Sequence, residues 1–195
     1  LPALIDCWLG QTYTNFELII SDDASTDETK EICEEYAKKD KRIRYIRQEK
    51  NRGALFCFKM LLNEARGKYF IWAEDDDLWG RRFLEECAAM LEKDPKLIMA
   101  FADMVDIDKS GNELKRPDPA KYIPLQKNLY ERLKSFLLFR FSDGKNQLLL
   151  GLWRRDKILD NPLFGLNKRD DDRSSGYWGF DNFFTFRNLS KGPFV

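Results

Sequence analysis

Residues 68–79, KYFIWAEDDDLW, run from bulky apolar side chains directly into four consecutive carboxylates, Glu74, Asp75, Asp76 and Asp77. The first half predicts a buried strand over 69–73, short, apolar and bounded by Gly67 on one side and by charge on the other. The second half sets an electrostatic problem. Two carboxylates about 4 Å apart repel by roughly 4 kcal/mol in the weak dielectric near a protein surface unless a cation or proton intervenes. The stretch therefore predicts a strand whose carboxyl end faces something that neutralises acids.

The same alternation extends to both sides. Upstream, residues 1–9 read as part of a helix and 16–20 as a strand ending at Ser21-Asp22-Asp23. Residues 25–28, STDE, read as a helix start with acids in the first turn, continuing to Asp40. A second strand is expected over 43–46, a turn at Asn51-Arg52-Gly53, and a helix over 54–65 that Gly67 ends. Downstream follow a helix over 81–92, closed by Asp94-Pro95, and a strand over 97–105. Strands alternating with helices predict an α/β fold, a mostly parallel central sheet flanked by helices on both faces. Ligands of such sheets bind beyond the carboxyl ends of the strands, so Asp22-Asp23 and the acids at 74–77 are expected to face one crevice.

Beyond Ile107 the pattern loosens. A turn over 108–112 and the prolines Pro117, Pro119 and Pro124 mark irregular chain, and 129–139 reads as an amphipathic helix. A strand is expected over 148–155, a polar loop over 165–176 and a helix over 180–188. With 195 residues, 43% of them hydrophobic, the chain suits one domain. It opens at Leu1 and closes on GPFV, the start of a strand by its composition, so that domain is expected to be cut at both ends.

Lys plus Arg and Asp plus Glu are both 33, which leaves no global basic field for nucleic acid. Histidine is absent, which excludes imidazole as base, nucleophile or zinc ligand. Cys7, Cys33, Cys57 and Cys87 form no CxxC pair and read as buried free thiols of a reducing compartment. No apolar run is long enough to span a bilayer, so a cytoplasmic location is expected, with any association with the inner face of the membrane left to segments beyond these ends.

Carboxylate oxygens are hard ligands suited to Mg²⁺ or Mn²⁺, ions that bridge to substrate phosphates. The plainer alternative is that acids after a strand cap the next helix, as Asp27 and Glu28 are placed to do. Counted from Asp75, the loop also approaches the EF-hand calcium pattern, but Trp79 occupies a ligand position and a strand precedes it where a helix is required. Asp170-Asp171-Asp172, among Lys168, Arg169 and Arg173, reads as a solvated loop. Trp153 and Trp178 read first as core aromatics and second as platforms for sugar rings.

The segments QTYTNFELIISDDASTDET, NRGALFCFKMLLNEARGKYF, EDDDLW and GFDNFF, in that order, resemble the successive motifs of family 2 glycosyltransferases. The resemblance implies a GT-A fold and an inverting transfer from a nucleotide-sugar, UDP-sugars being the commonest donors in the family, to a hydroxyl acceptor. It places a nucleotide-base contact on Asp23, with Asp22 beside it. Ribose and metal-diphosphate contacts fall on Glu74, Asp75 and Asp76, with Asp76 the direct Mn²⁺ or Mg²⁺ ligand and Asp77 next to it as second ligand or loop-orienting group. The catalytic base falls on Asp181. Where relatives often carry Ala-Arg-Asn the chain has Cys57-Phe58-Lys59, so a phosphate or base contact is expected to be lost there or taken over by Arg52. The implied role is synthesis of polysaccharide, glycolipid or cell-surface glycan on a glycan, lipid-linked or protein acceptor. The alternatives are a nucleotidyltransferase of similar architecture, which would carry a glycine-rich loop with a lysine near its first strand, and a nucleotide-sugar binding domain without turnover.

Overall fold

A computed structural model describes residues 1–108, 110–115, 128–138, 149–159, 185, 188 and 191–192. The first half follows the expected rhythm: α1 (Pro2–Leu9), β1 (Leu18–Asp22), α2 (Thr29–Lys39), β2 (Ile43–Arg47), α3 (Ala54–Glu64), β3 (Tyr69–Phe70), α4 (Phe83–Lys93) and β4 (Met99–Ala100). A hairpin of β5 (Asp106–Ile107) and β6 (Glu113–Lys115), α5 (Leu129–Leu138), β7 (Leu152–Arg154) and α6 (Arg155–Ile158) complete the described elements. The helix expected over 180–188 and the loop over 165–176 lie outside the described residues, apart from Thr185 and Asn188, which are helical and buried.

β1 and β2 pair in parallel, with Leu18 opposite Ile43 and Asp22 opposite Arg47. β7 lies between β3 and β4 and is antiparallel to both, so the layer is mixed. Its insertion explains why β3 and β4 are shorter than the apolar runs predict: β7 has three residues, and each neighbour pairs with two of them. Gly151 lets β7 come this close. A Cβ there would stand 2.3 Å from Met99 Sδ and 3.1 Å from the Ala100 carbonyl oxygen.

Alternate residues pack against helices on opposite sides, as the two-residue period of extended chain requires. Phe70, Trp72, Met99 and Trp153 join Leu62 of α3 and Ile158 of α6 in one buried cluster. Ala100 and Leu152 join Trp8 of α1 and Phe83, Leu84 and Leu91 of α4 in the other, with Tyr69 and Ile71 against it. β1 follows the same division: Ile19 packs on the first cluster and Leu18 on the second. The layering is that of an α/β sandwich. Trp153 is fully buried and donates its indole N–H to the Leu149 carbonyl, so it is core and not a sugar platform. All four cysteines are free; Cys33 and Cys87 are buried, Cys7 and Cys57 half-buried. No helix among the described residues is long and apolar enough to cross a membrane.

Arg154 ties β7 to α4. Its guanidinium donates to the carbonyls of Leu97, Leu91 and Asp94, collecting acceptors around the end of that helix. Replacing it by Met keeps the apolar stem but leaves these carbonyls without their charged donor. Arg154→Met is expected to lower stability by about 3 kcal/mol, read as a shift in the urea midpoint.

Candidate functional site

β1 ends on Asp22, and Asp23 follows directly; along extended chain, neighbouring side chains point to opposite sides. Asp22 turns inward, with 2% of its surface exposed. Its carboxylate accepts from the Ser25 amide at 2.7 Å, the Tyr45 hydroxyl at 2.5 Å and the Arg47 guanidinium at 2.5 Å. Burial alone would raise its pKa; the bonds from Tyr45 and Ser25, with the charge of Arg47, outweigh burial and bring it down to about 2. Burial and the bond to Asp22 push the Tyr45 phenol up to about 12. Arg47 also donates to the Ser25 carbonyl, which closes the turn after β1. At the centre of that turn Ala24 has φ 63, a left-handed conformation uncommon for a residue with a Cβ.

Asp23 faces the other way. Its two oxygens accept the amides of Arg52 and Gly53, each at 2.7 Å. Gly53 has φ 84 and stands at the N-cap of α3, so the glycine turn is required by its backbone and held by Asp23. The Arg52 guanidinium lies 4.1 Å from the centroid of the Phe56 ring, a cation–π contact on the first turn of α3. The expected helix start at Ser25 falls four residues early because these bonds hold the turn in a non-helical path; α2 begins at Thr29, whose amide Asp27 accepts.

The second acidic group follows Trp72. That indole is 2% exposed, donates to the Phe58 carbonyl of α3 at 3.1 Å, and lies against Phe58 at a tilt and Phe70 edge-on, at centroid distances of 5.6 and 4.7 Å. Beyond this anchor, one carboxylate oxygen from each of Glu74, Asp76 and Asp77 lies within 4.8 Å of the others. Asp76 is exposed and Glu74 and Asp77 are half-buried. Burial, then the adjacent Asp76 charge, raises the Asp77 pKa. Asp75 is exposed and stands outside this trio. Three hard oxygen donors at mutual repulsion are a fitting donor set for Mg²⁺ or Mn²⁺.

α3 joins the two acidic groups: Asp23 grips its first turn and Trp72 its middle. Asp181 and Asp170–172 lie outside the described residues. Tyr45 and Arg47 were absent from the sequence expectation, although a cation at the end of one strand beside an acid at the end of its neighbour was available as a signal. A cavity of about 380 Å³ opens at the other end of β3, lined by Lys68, Pro95 and Arg154 among others. Two of its cations form surface ion pairs, Lys68 with Glu92 and Lys157 with Asp156.

Residues 1–149 match the family model described as Glycosyl transferase family 2. An uncharacterized glycosyltransferase of Methanocaldococcus jannaschii is 34% identical over 123 residues, covering 63% of this chain and 42% of the relative. The glycosyltransferase GlyG of Streptococcus pneumoniae is 34% identical over 100 residues, 49% of this chain and 33% of GlyG. The chain thus spans less than half the length of these relatives. Among solved structures, S. aureus TarS 1-349, also solved in complex with UDP, aligns over 100% of this chain and 53% of its own, with TM-score 0.69 and 19% identity. The mannosyltransferase PcManGT of Pyrobaculum calidifontis, in complex with GDP-Man and Mn²⁺, aligns over 98% and 48%, with TM-score 0.58 and 18% identity. At these identities the likeness shows the fold, which is GT-A.

The Asp22 bracket has a pH signature. Its carboxyl is depressed in the folded state, so its contribution is present above the unfolded value near 3.9 and is lost as pH falls through about 2. The stability difference between the wild type and Asp22→Asn is expected to shrink by about 2 kcal/mol between pH 6 and pH 2, measured by urea unfolding.

Proposed function

The chain belongs to glycosyl transferase family 2, and we propose that it carries the donor site of a metal-dependent, inverting glycosyltransferase. The donor is a nucleotide-sugar, a UDP-sugar in the first instance, and the acceptor is a hydroxyl of a glycan, a lipid-linked sugar or a protein. The observation that carries this reading is the convergence of Glu74, Asp76 and Asp77 to within 4.8 Å, a site that like charges occupy at a cost unless a cation joins them. A structural neighbour that holds GDP-Man with Mn²⁺ supports the choice of ion.

Asp76, the exposed member of the trio, is the direct metal ligand, with Asp77 beside it. Glu74 and Asp75 serve the ribose and the shape of the site. A divalent ion held there supplies Lewis-acid stabilisation of the charge that develops on the leaving diphosphate. Asp23 is half-buried, and each oxygen accepts one amide, which leaves lone pairs for an N–H of the nucleotide base. Arg52 presents its cation beside that turn, for a phosphate or base contact. Asp22 acts differently: both of its oxygens are engaged by protein donors, so we assign it to positioning the turn.

Asp181, placed by the family resemblance, is the base. It takes the proton of the acceptor hydroxyl as that oxygen bonds to the anomeric carbon and the bond to the diphosphate breaks, inverting the centre. The pathway is synthesis of polysaccharide, glycolipid or cell-surface glycan at the cytoplasmic side of a membrane.

Calorimetric titration of UDP with and without Mn²⁺ tests the site. Binding is expected to require Mn²⁺ and to be abolished in Asp76→Ala; binding that ignores both changes sinks the reading. Asp181→Asn is expected to keep UDP binding and lose sugar transfer by a factor of about 10² or more, and unchanged transfer would remove Asp181 from the mechanism.

A further inference from the structure

The acidic loop is anchored upstream by Trp72, and a second set of contacts holds it downstream. Cys7 Sγ, near the end of α1, donates to the Trp79 carbonyl at 3.1 Å and accepts the Trp79 amide at 3.2 Å, so one thiol satisfies both backbone groups of that residue. Trp8 stacks on the Trp79 ring at 4.9 Å. Gln11 is 3% exposed and uses both ends of its amide: Nε2 donates to the Gly80 carbonyl at 2.9 Å, and Oε1 accepts the Leu84 amide at 3.1 Å. The Thr12 amide donates to the Arg81 carbonyl at 3.0 Å.

The Leu84 amide is one of the donors that the first turn of a helix leaves unpaired. Arg82, at the N-cap of α4, makes no capping bond with its side chain. Gln11 supplies that cap from a distant part of the chain and, through the same amide group, fixes the Gly80 carbonyl. Residues 73–78 are therefore strung between two fixed points, Trp72 on α3 and Trp79-Gly80 on α1. Freed at either end, the loop could move its carboxylates apart, the direction their mutual repulsion favours.

We infer that Gln11 and Cys7 are positioning residues for the acidic loop: by fixing the backbone at 79–84 they hold Glu74, Asp76 and Asp77 at the spacing that takes a divalent cation. This rests on the cation reading above. Neither residue belongs to the carboxylate trio that would hold the ion. Outer contacts of this kind change metal affinity by about 10- to 100-fold when removed.

The test is a Mn²⁺ titration of the full chain at saturating UDP, with thermal unfolding recorded for each variant. Gln11→Ala and Cys7→Ala are expected to raise the apparent Mn²⁺ dissociation constant about tenfold or more. Cys7→Ser, which keeps a donor and an acceptor, is expected to restore most of that affinity. Ile43→Val, a buried change in β2 outside the cluster that holds Trp72, loosens the fold without touching either anchor of the loop and is expected to leave Mn²⁺ affinity unchanged. Cooperatively folded Gln11→Ala and Cys7→Ala proteins that bind Mn²⁺ like the wild type overturn the inference, as does an equal loss in Ile43→Val. Should Gln11→Ala fail to fold, Cys7→Ala and its serine rescue decide alone. If the wild type itself binds UDP without regard to Mn²⁺, the cation reading falls and this inference falls with it. If the wild type depends on Mn²⁺ and Asp76→Ala abolishes binding while the clamp variants match the wild type, the positioning inference alone falls.

Discussion

Mutual repulsion among Glu74, Asp76 and Asp77 is the constraint to which much of the first hundred residues answers. Three carboxylates within 4.8 Å repel one another, and the backbone that bears them is held on both sides. Trp72 holds it on one side, buried among Phe58 and Phe70, and Trp79 on the other, against Trp8. The apolar residues that introduce the acids therefore do more than fill the core. They convert packing energy into a fixed charge arrangement.

Much of this was legible in the sequence, and what was not has identifiable causes. The helices at 54–64 and 83–93 lie within two residues of their expected bounds because apolar periodicity and the glycine turn mark them. The strands at 69–70 and 99–100 are shorter than their apolar runs because ladder length depends on β7, whose three residues come from far along the chain. Composition reveals burial; it does not reveal which partner supplies the hydrogen bonds. The Asp22-Asp23 pair shows the same boundary. Both acids were visible, but their division into an inward bracket and a clasp on α3 depends on register with Arg47 and on the Gly53 turn. Gln11 left the weakest trace, since a polar residue after a helix gives no hint that its amide is 3% exposed.

The family match ends at residue 149, whereas β7, which joins β3 to β4, begins at Leu152. The portion shared most clearly with relatives therefore carries the acidic groups and their anchors, and the strand that completes this part of the sheet comes from just beyond it. Arg154 reaches back from that strand to the end of α4. The two halves of the chain are thus joined both by apolar packing of Leu152, Trp153 and Ile158 into the two clusters and by arginine donors to backbone carbonyls.

α3 engages Asp23 through Gly53 at its start and, through Phe58 in its middle, Trp72, the anchor that precedes the acidic loop. One rigid rod with two handles has a consequence for descent: a lineage that alters the fit at one end displaces the other. Asp23, Gly53, Phe58 and Trp72 should accordingly be inherited as a set, replaced together or not at all.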